Sequence, residues 1–278
     1  MSDSLLSLVT ALADDELVLG HRHSEWTGHA PHIEEDVAFS SIAQDEIGHA
    51  AAYYGIVAAL DDDDADRLAL GRKPHEYRNA ILCERPNRDW AYTLARHWLY
   101  DAADDVRLEV LERSAHGELA ALAVKLRREE RYHLLHARTW MERVARGPVE
   151  GRARVVDALT DAWGDTLGLF EPFELEEDAV ERGWLPVPSS ELRARFLERA
   201  SRALDDLGMP PDVRARGADS AEFVASSSGD LIASDDAPDE GRARAPGVGG
   251  RRGEHSEDFE PLWDEMTATY RGDPGATW

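Results

Sequence analysis

The chain has 278 residues, 31 basic against 56 acidic, for a net charge of −25. So acidic a surface excludes nucleic acid and anionic membranes as partners. With Cys83 as the only cysteine, it also excludes an intrachain disulfide or a thiolate zinc site. Neither a signal-peptide pattern nor an apolar run of about 18 residues occurs, so a cytoplasmic protein is expected. Lys73 and Lys125 are the only lysines. An Asp-rich, Lys-poor composition points to work in high salt, where screening shortens like-charge repulsion to roughly 3 Å at 1 M. Ordinary solubilising acidity is the alternative.

The periodicity predicts a first helix over 3–23, with Leu5, Val9, Leu12 and Leu19 on one stripe. Glu16 falls on that stripe, where a carboxylate is costly unless paired or bound to metal. Asp14 and Asp15 lie off it and are expected to be solvated. Gly28 and Pro31 punctuate a turn, around which His21, His23, His29 and His32 cluster. These histidines are read as hydrogen-bonded or solvated, with a second metal site as the alternative.

A second helix is expected from about 31 to 60. Its stripe is Phe39, Ile42, Glu46, His49, Tyr53, Ile56 and Leu60, in unbroken steps of three and four. Glu46 and His49 therefore share the buried face. Residues 61–87 form a long connection that opens with a DDDD run, read as a solvated acidic loop, and has room for one short helix around 75–83.

A third helix is predicted over 88–114. Both Asp101 and Asp105 fall on its stripe, so helix geometry does not choose between them. The fourth helix, to about 146, carries Leu119, Leu122, Leu126, Glu130, His133, Ala137, Trp140 and Val144 on its stripe. Glu129 lies about 100° round from it and is read as a supporting or surface residue. Fifth and sixth helices are expected over 151–170 and 189–207. Residues 214–254, poor in large apolar side chains, suggest a flexible insertion. A last helix over 257–271 and a tail close the chain, giving a helical region 1–213 with a core bundle at 3–146, the insertion, and a C-terminal piece 255–278.

Two E-x-x-H pairs, Glu46 with His49 and Glu130 with His133, plus one carboxylate from each of two further helices form the pattern of di-iron and di-manganese four-helix bundles. Oxygen-rich, nitrogen-poor donors suit iron or manganese better than zinc. Buried together, four carboxylates need cations or protons to balance them. The candidate ligands of two irons are Glu16, Glu46, His49, Asp101, Glu130 and His133, with Glu46 and Glu130 bridging and Glu16 and Asp101 terminal. The expected fold is all-α, a four-helix bundle with additional C-terminal helices.

Four stretches carry a resemblance. EWTGHAPHIEEDVAFSSIAQDEIGHA (25–50), RNAILCERPN (78–87), EERYHLLHARTWMERV (129–144) and GGRRGEHSEDFEPLWDEM (249–266) resemble the C subunits of phenylacetyl-CoA ring 1,2-epoxidases. The resemblance implies a ferritin-like fold and membership of a multicomponent monooxygenase of phenylacetate catabolism. It also implies an A-type catalytic chain as partner, phenylacetyl-CoA as the complex's substrate, and NADPH electrons delivered through the flavin and iron–sulfur groups of a separate reductase. In that family the A-type chain carries the di-iron centre and the C-type chain supports it. QDEIGH and WLYDAADDV resemble the A-type chains, the latter favouring Asp101 over Asp105. Three readings follow: an oxygenase component with its own di-iron site, a non-catalytic structural subunit, or a ferritin- or rubrerythrin-like iron-oxidising protein.

Overall fold

The computed structural model describes residues 3–214 and 247–273. Among these, every regular element is helical. The α-helices are α1 (Asp3–Ser24), α2 (Ile33–Asp61), α3 (Ala65–Leu70), α4 (Ile81–Glu84), α5 (Trp90–Leu111), α6 (Gly117–Ala145), α7 (Val149–Leu167), α8 (Glu176–Glu181), α9 (Ser189–Asp206) and α10 (Phe259–Gly272). The expected all-α, ferritin-like bundle with further C-terminal helices is what the chain forms. No helix among the described residues is long and apolar enough to cross a membrane.

The bundle is two hairpins, α1–α2 and α5–α6, joined through the α3–α4 connection. Local chemistry sets the helix ends. The Asp89 carboxylate accepts from the Tyr92 amide at 2.9 Å, which caps α5. Asp62 takes a left-handed conformation, φ 54°, and closes α2. Asp64, in the same acidic run, accepts from the Arg67 amide and starts α3. The DDDD loop is thus punctuation between helices. The expected single helix near 75–83 is instead two short ones, α3 and α4, separated by a 3₁₀ turn at Pro74–Glu76.

Burial of Trp98, Tyr53, Tyr54, Tyr100, Trp163 and Phe196 dominates the core. Aromatic side chains of this size remove roughly 150–250 Å² each from water. α7 and α9 cover α5, and α10 packs on α3, so the later helices form a second layer over the bundle.

One expectation is corrected: Asp14 and Asp15 are fully buried rather than solvated. Asp14 is held by Tyr54, Arg72 and the Arg78 amide, and Asp15 by Arg107 and Arg251. Of the segment read as a flexible insertion, 214–254, residues 215–246 lie outside the described residues, while 247–251 are buried. Arg251, 4 % exposed, reaches Asp15 at 2.8 Å and the carbonyls of Ala11 and Leu169 at 3.1 Å. A Cβ at Gly250 would lie 2.1 Å from the Asn79 carbonyl, so only glycine fits there. Within 247–251 the anchor is one arginine and close backbone contact rather than large apolar side chains.

Candidate metal centre

Glu16 on α1, Glu46 and His49 on α2, Asp101 on α5, and Glu130 and His133 on α6 are all buried, none more than 4 % exposed. Each is placed by the apolar stripe of its helix, so the bundle interior collects all six. They do not all meet in the same way.

Donor atoms of Glu16, His49 and Glu130 lie within 4.8 Å of one another. His49 Nδ1 is 3.2 Å from Glu130 Oε1 and 3.4 Å from Glu16 Oε2. His133 Nδ1 lies 3.1 Å from the same Glu130 oxygen. The two imidazoles stack, ring centres 6.2 Å apart. Asp101 is close to His97, Oδ2 to Nδ1 at 3.3 Å. Glu46 points elsewhere, toward His23, whose Nδ1 is 2.9 Å from both carboxylate oxygens. Asp105, the alternative on α5, is paired with Arg127 and Arg199 away from the cluster.

The inward-facing atoms lack hydrogen bonds. They are Glu16 Oε2, His49 Nδ1, both oxygens of Glu130, His133 Nδ1 and both oxygens of Asp101. Buried polar atoms are rarely left so. The orphaned atoms of Glu16, His49 and Glu130, within 4.8 Å of one another, are a donor set for a divalent cation, and these residues fit such an ion.

The outward-facing imidazole nitrogens are braced. His49 Nε2 lies 3.1 Å from Glu129 Oε2, and His133 Nε2 lies 3.2 Å from Asp45 Oδ2. The bracing is reciprocal: each helix's histidine is held by the other helix's acid. A carboxylate on the far nitrogen fixes the tautomer that leaves Nδ1 free for a metal. Tyr100 donates to Glu16 Oε1 at 2.8 Å and leaves Oε2 as the free oxygen.

Charge is shared within the cluster. Burial disfavours a charged His49, but the Glu130 and Glu16 carboxylates beside it outweigh that and push its pKa up to about 11. Burial opposes charge on His133 too, and Glu130 raises it to about 10. Glu130 is held below the ordinary carboxylate range: burial would raise it, but His133 and His49 prevail. Glu46 is pushed well above that range by burial, with Glu16 and Glu130 adding to the effect. Asp101 is raised well above it by burial and by Glu130. Protonated imidazoles and neutral acids thus balance the cluster by protons alone.

Sequence reasoning missed Asp45, Tyr100 and His97, and left His23 among the turn histidines. Signals for three of them were present. An acid precedes each E-x-x-H, giving Asp45-Glu46 and Glu129-Glu130 doublets. His97 is one turn before Asp101, and His23 is two turns after Glu16.

The chain matches the family described as "Phenylacetic acid catabolic protein" over residues 1–223. It belongs to that family. The C subunit of the 1,2-phenylacetyl-CoA epoxidase of Escherichia coli (strain K12) is 31 % identical over 279 positions, covering 99 % of this chain and 100 % of that protein. The A subunit of the same epoxidase is 25 % identical over 205 positions, covering 68 % of this chain and 65 % of that protein. The resemblance drawn from the four sequence stretches is thereby borne out.

Proposed function

We propose that this chain is the C-type subunit of a multicomponent phenylacetyl-CoA ring 1,2-epoxidase, works in the cytoplasm, and carries a carboxylate–histidine metal centre. The observation that carries the assignment to such a complex is the end-to-end match to the C subunit of the Escherichia coli epoxidase. Its partners are an A-type chain and a reductase that passes NADPH electrons through flavin and iron–sulfur groups. Phenylacetyl-CoA is the substrate of the whole complex.

For the metal centre, the support is the convergence of orphaned donors. Glu16, His49 and Glu130 would hold one iron. His133 and Asp101, with Glu130 and Glu46, would hold a second. Iron, when bound, supplies the capacity to react with O2. This chain's own residues orient it: Glu129 and Asp45 fix the imidazoles, Tyr100 fixes Glu16, and the buried bundle excludes water.

A purely structural role is the second reading. What favours it is the Glu46 contact with His23, which takes one bridging carboxylate out of the cluster. Co-expression with an A-type chain tests membership of the complex. A single complex in size-exclusion chromatography, oxidising NADPH only when reductase and phenylacetyl-CoA are added, is expected. Separate elution of the two chains at moderate and high salt would contradict it. Iron analysis of the isolated chain separates the two readings of the metal centre.

A further inference from the structure

Glu46 is a buried acid whose hydrogen-bond partner is not one of the six candidate ligands. Both its oxygens lie 2.9 Å from His23 Nδ1, at the C-terminal end of α1. The two residues are 1 % and 0 % exposed. The contact depends on close helix approach. A Cβ at Gly20, three residues before His23, would lie 3.2 Å from Glu46 Cβ and 2.9 Å from Ile47 Cγ1. His23 is also fixed in place. Its ring sits edge-on to Phe39 at 5.2 Å and to His97 at 5.4 Å. The imidazole therefore cannot follow Glu46 if the carboxylate turns inward.

We propose that His23 is a positioning residue that holds Glu46 out of the metal cluster and makes the two metal positions unequal. The first position, at Glu16, His49 and Glu130, is preformed. The second needs Glu46 together with Asp101 and His133, and it fills only when Glu46 leaves His23. This inference rests on the metal-centre reading above. To join Asp101 and His133, Glu46 gives up its contact with His23.

Cobalt(II) titration of the metal-free full-length chain, followed by calorimetry and visible absorption, tests this without any activity readout. Wild type should bind in two unequal steps, the second weaker. His23→Leu strands Glu46 without a buried partner, so its second step should tighten about fivefold or more, the factor set by an unsatisfied buried polar group. His23→Gln keeps a side-chain donor for Glu46 and should titrate like wild type. It also guards against misreading a folding defect in the leucine variant. Two equal steps in wild type, or a second step in His23→Leu no tighter than in wild type, would overturn the inference while leaving the metal centre intact. Binding of no cobalt by wild type would instead remove the metal-centre reading, and this inference with it.

Discussion

Asp15 takes guanidinium groups from two distant parts of the chain, Arg107 at 2.6 Å and Arg251 at 2.8 Å. Burial alone would raise its pKa, but Arg251 and Arg107 hold it below 3.8. Removing one partner of a buried ion pair typically costs about 3–5 kcal/mol, because the other charge is left uncompensated. Asp15→Ala should lose stability of this order in urea denaturation, whereas exposed Asp66→Ala should be near neutral. A similar midpoint for both would contradict this account of the core. Asp15 could not be recognised as buried from its helix stripe. Its partners are 92 and 236 residues away, and a stripe reports only the helix's own periodicity. At the cluster, His49 and His133 have pKa values raised to about 11 and about 10 from 6.5. A raised histidine contributes stability that is complete below pH 6.5 and is lost as pH climbs through the folded value. The metal-free protein should therefore weaken between about pH 7 and pH 11, and His49→Gln should flatten that decline. Parallel pH profiles of wild type and variant, read from denaturant midpoints, would count against the charged imidazoles.

Helices α2 and α6 brace one another's buried histidines, His49 and His133, with Glu129 and Asp45. Substituting such a supporting carboxylate usually weakens metal affinity by about 10–100-fold. Asp45→Ala and Glu129→Ala should each do so, with the fold unchanged by circular dichroism. Unaltered metal affinity in both would show that the braces are incidental. Helix geometry alone left Glu129 as either a supporting or a surface residue, because it sits off the apolar stripe of α6. What that geometry omits is the neighbouring helix, whose His49 presents its far nitrogen to Glu129 at 3.1 Å. The long helices themselves were legible to within a few residues, since each carries several turns of apolar repeat. The stretch 61–87 was less so: α3 has 6 residues and α4 has 4, too few to show a period. Between α1 and α2, a methyl group at Gly20 would meet Ile47 and Glu46. Gly20→Ala should overpack this contact and cost about 1–3 kcal/mol, seen as a lower denaturation midpoint.

Across the whole molecule, the acids divide between two jobs. Among the described residues a minority are buried beside arginines, histidines or protons, and the rest are at least partly exposed; with all 56 acids counted against 31 bases the chain stands at −25. Self-repulsion of the second group should make folding depend on salt. Thermal midpoints in low and multimolar KCl should differ strongly, and equal midpoints would argue for ordinary solubilising acidity. The fold and the six inward positions could be read from the sequence because one periodic rule governs both. Which of the six donors actually meet could not, because Glu46 is diverted by His23 and that depends on how α1 packs on α2. The central claim, that Glu16, His49 and Glu130 with their neighbours hold iron, is tested most directly by one measurement. Wild type and Glu130→Ala are reconstituted anaerobically with ferrous iron, desalted and analysed for iron. Wild type is predicted to retain iron and Glu130→Ala to lose it; wild type emerging iron-free would contradict the account.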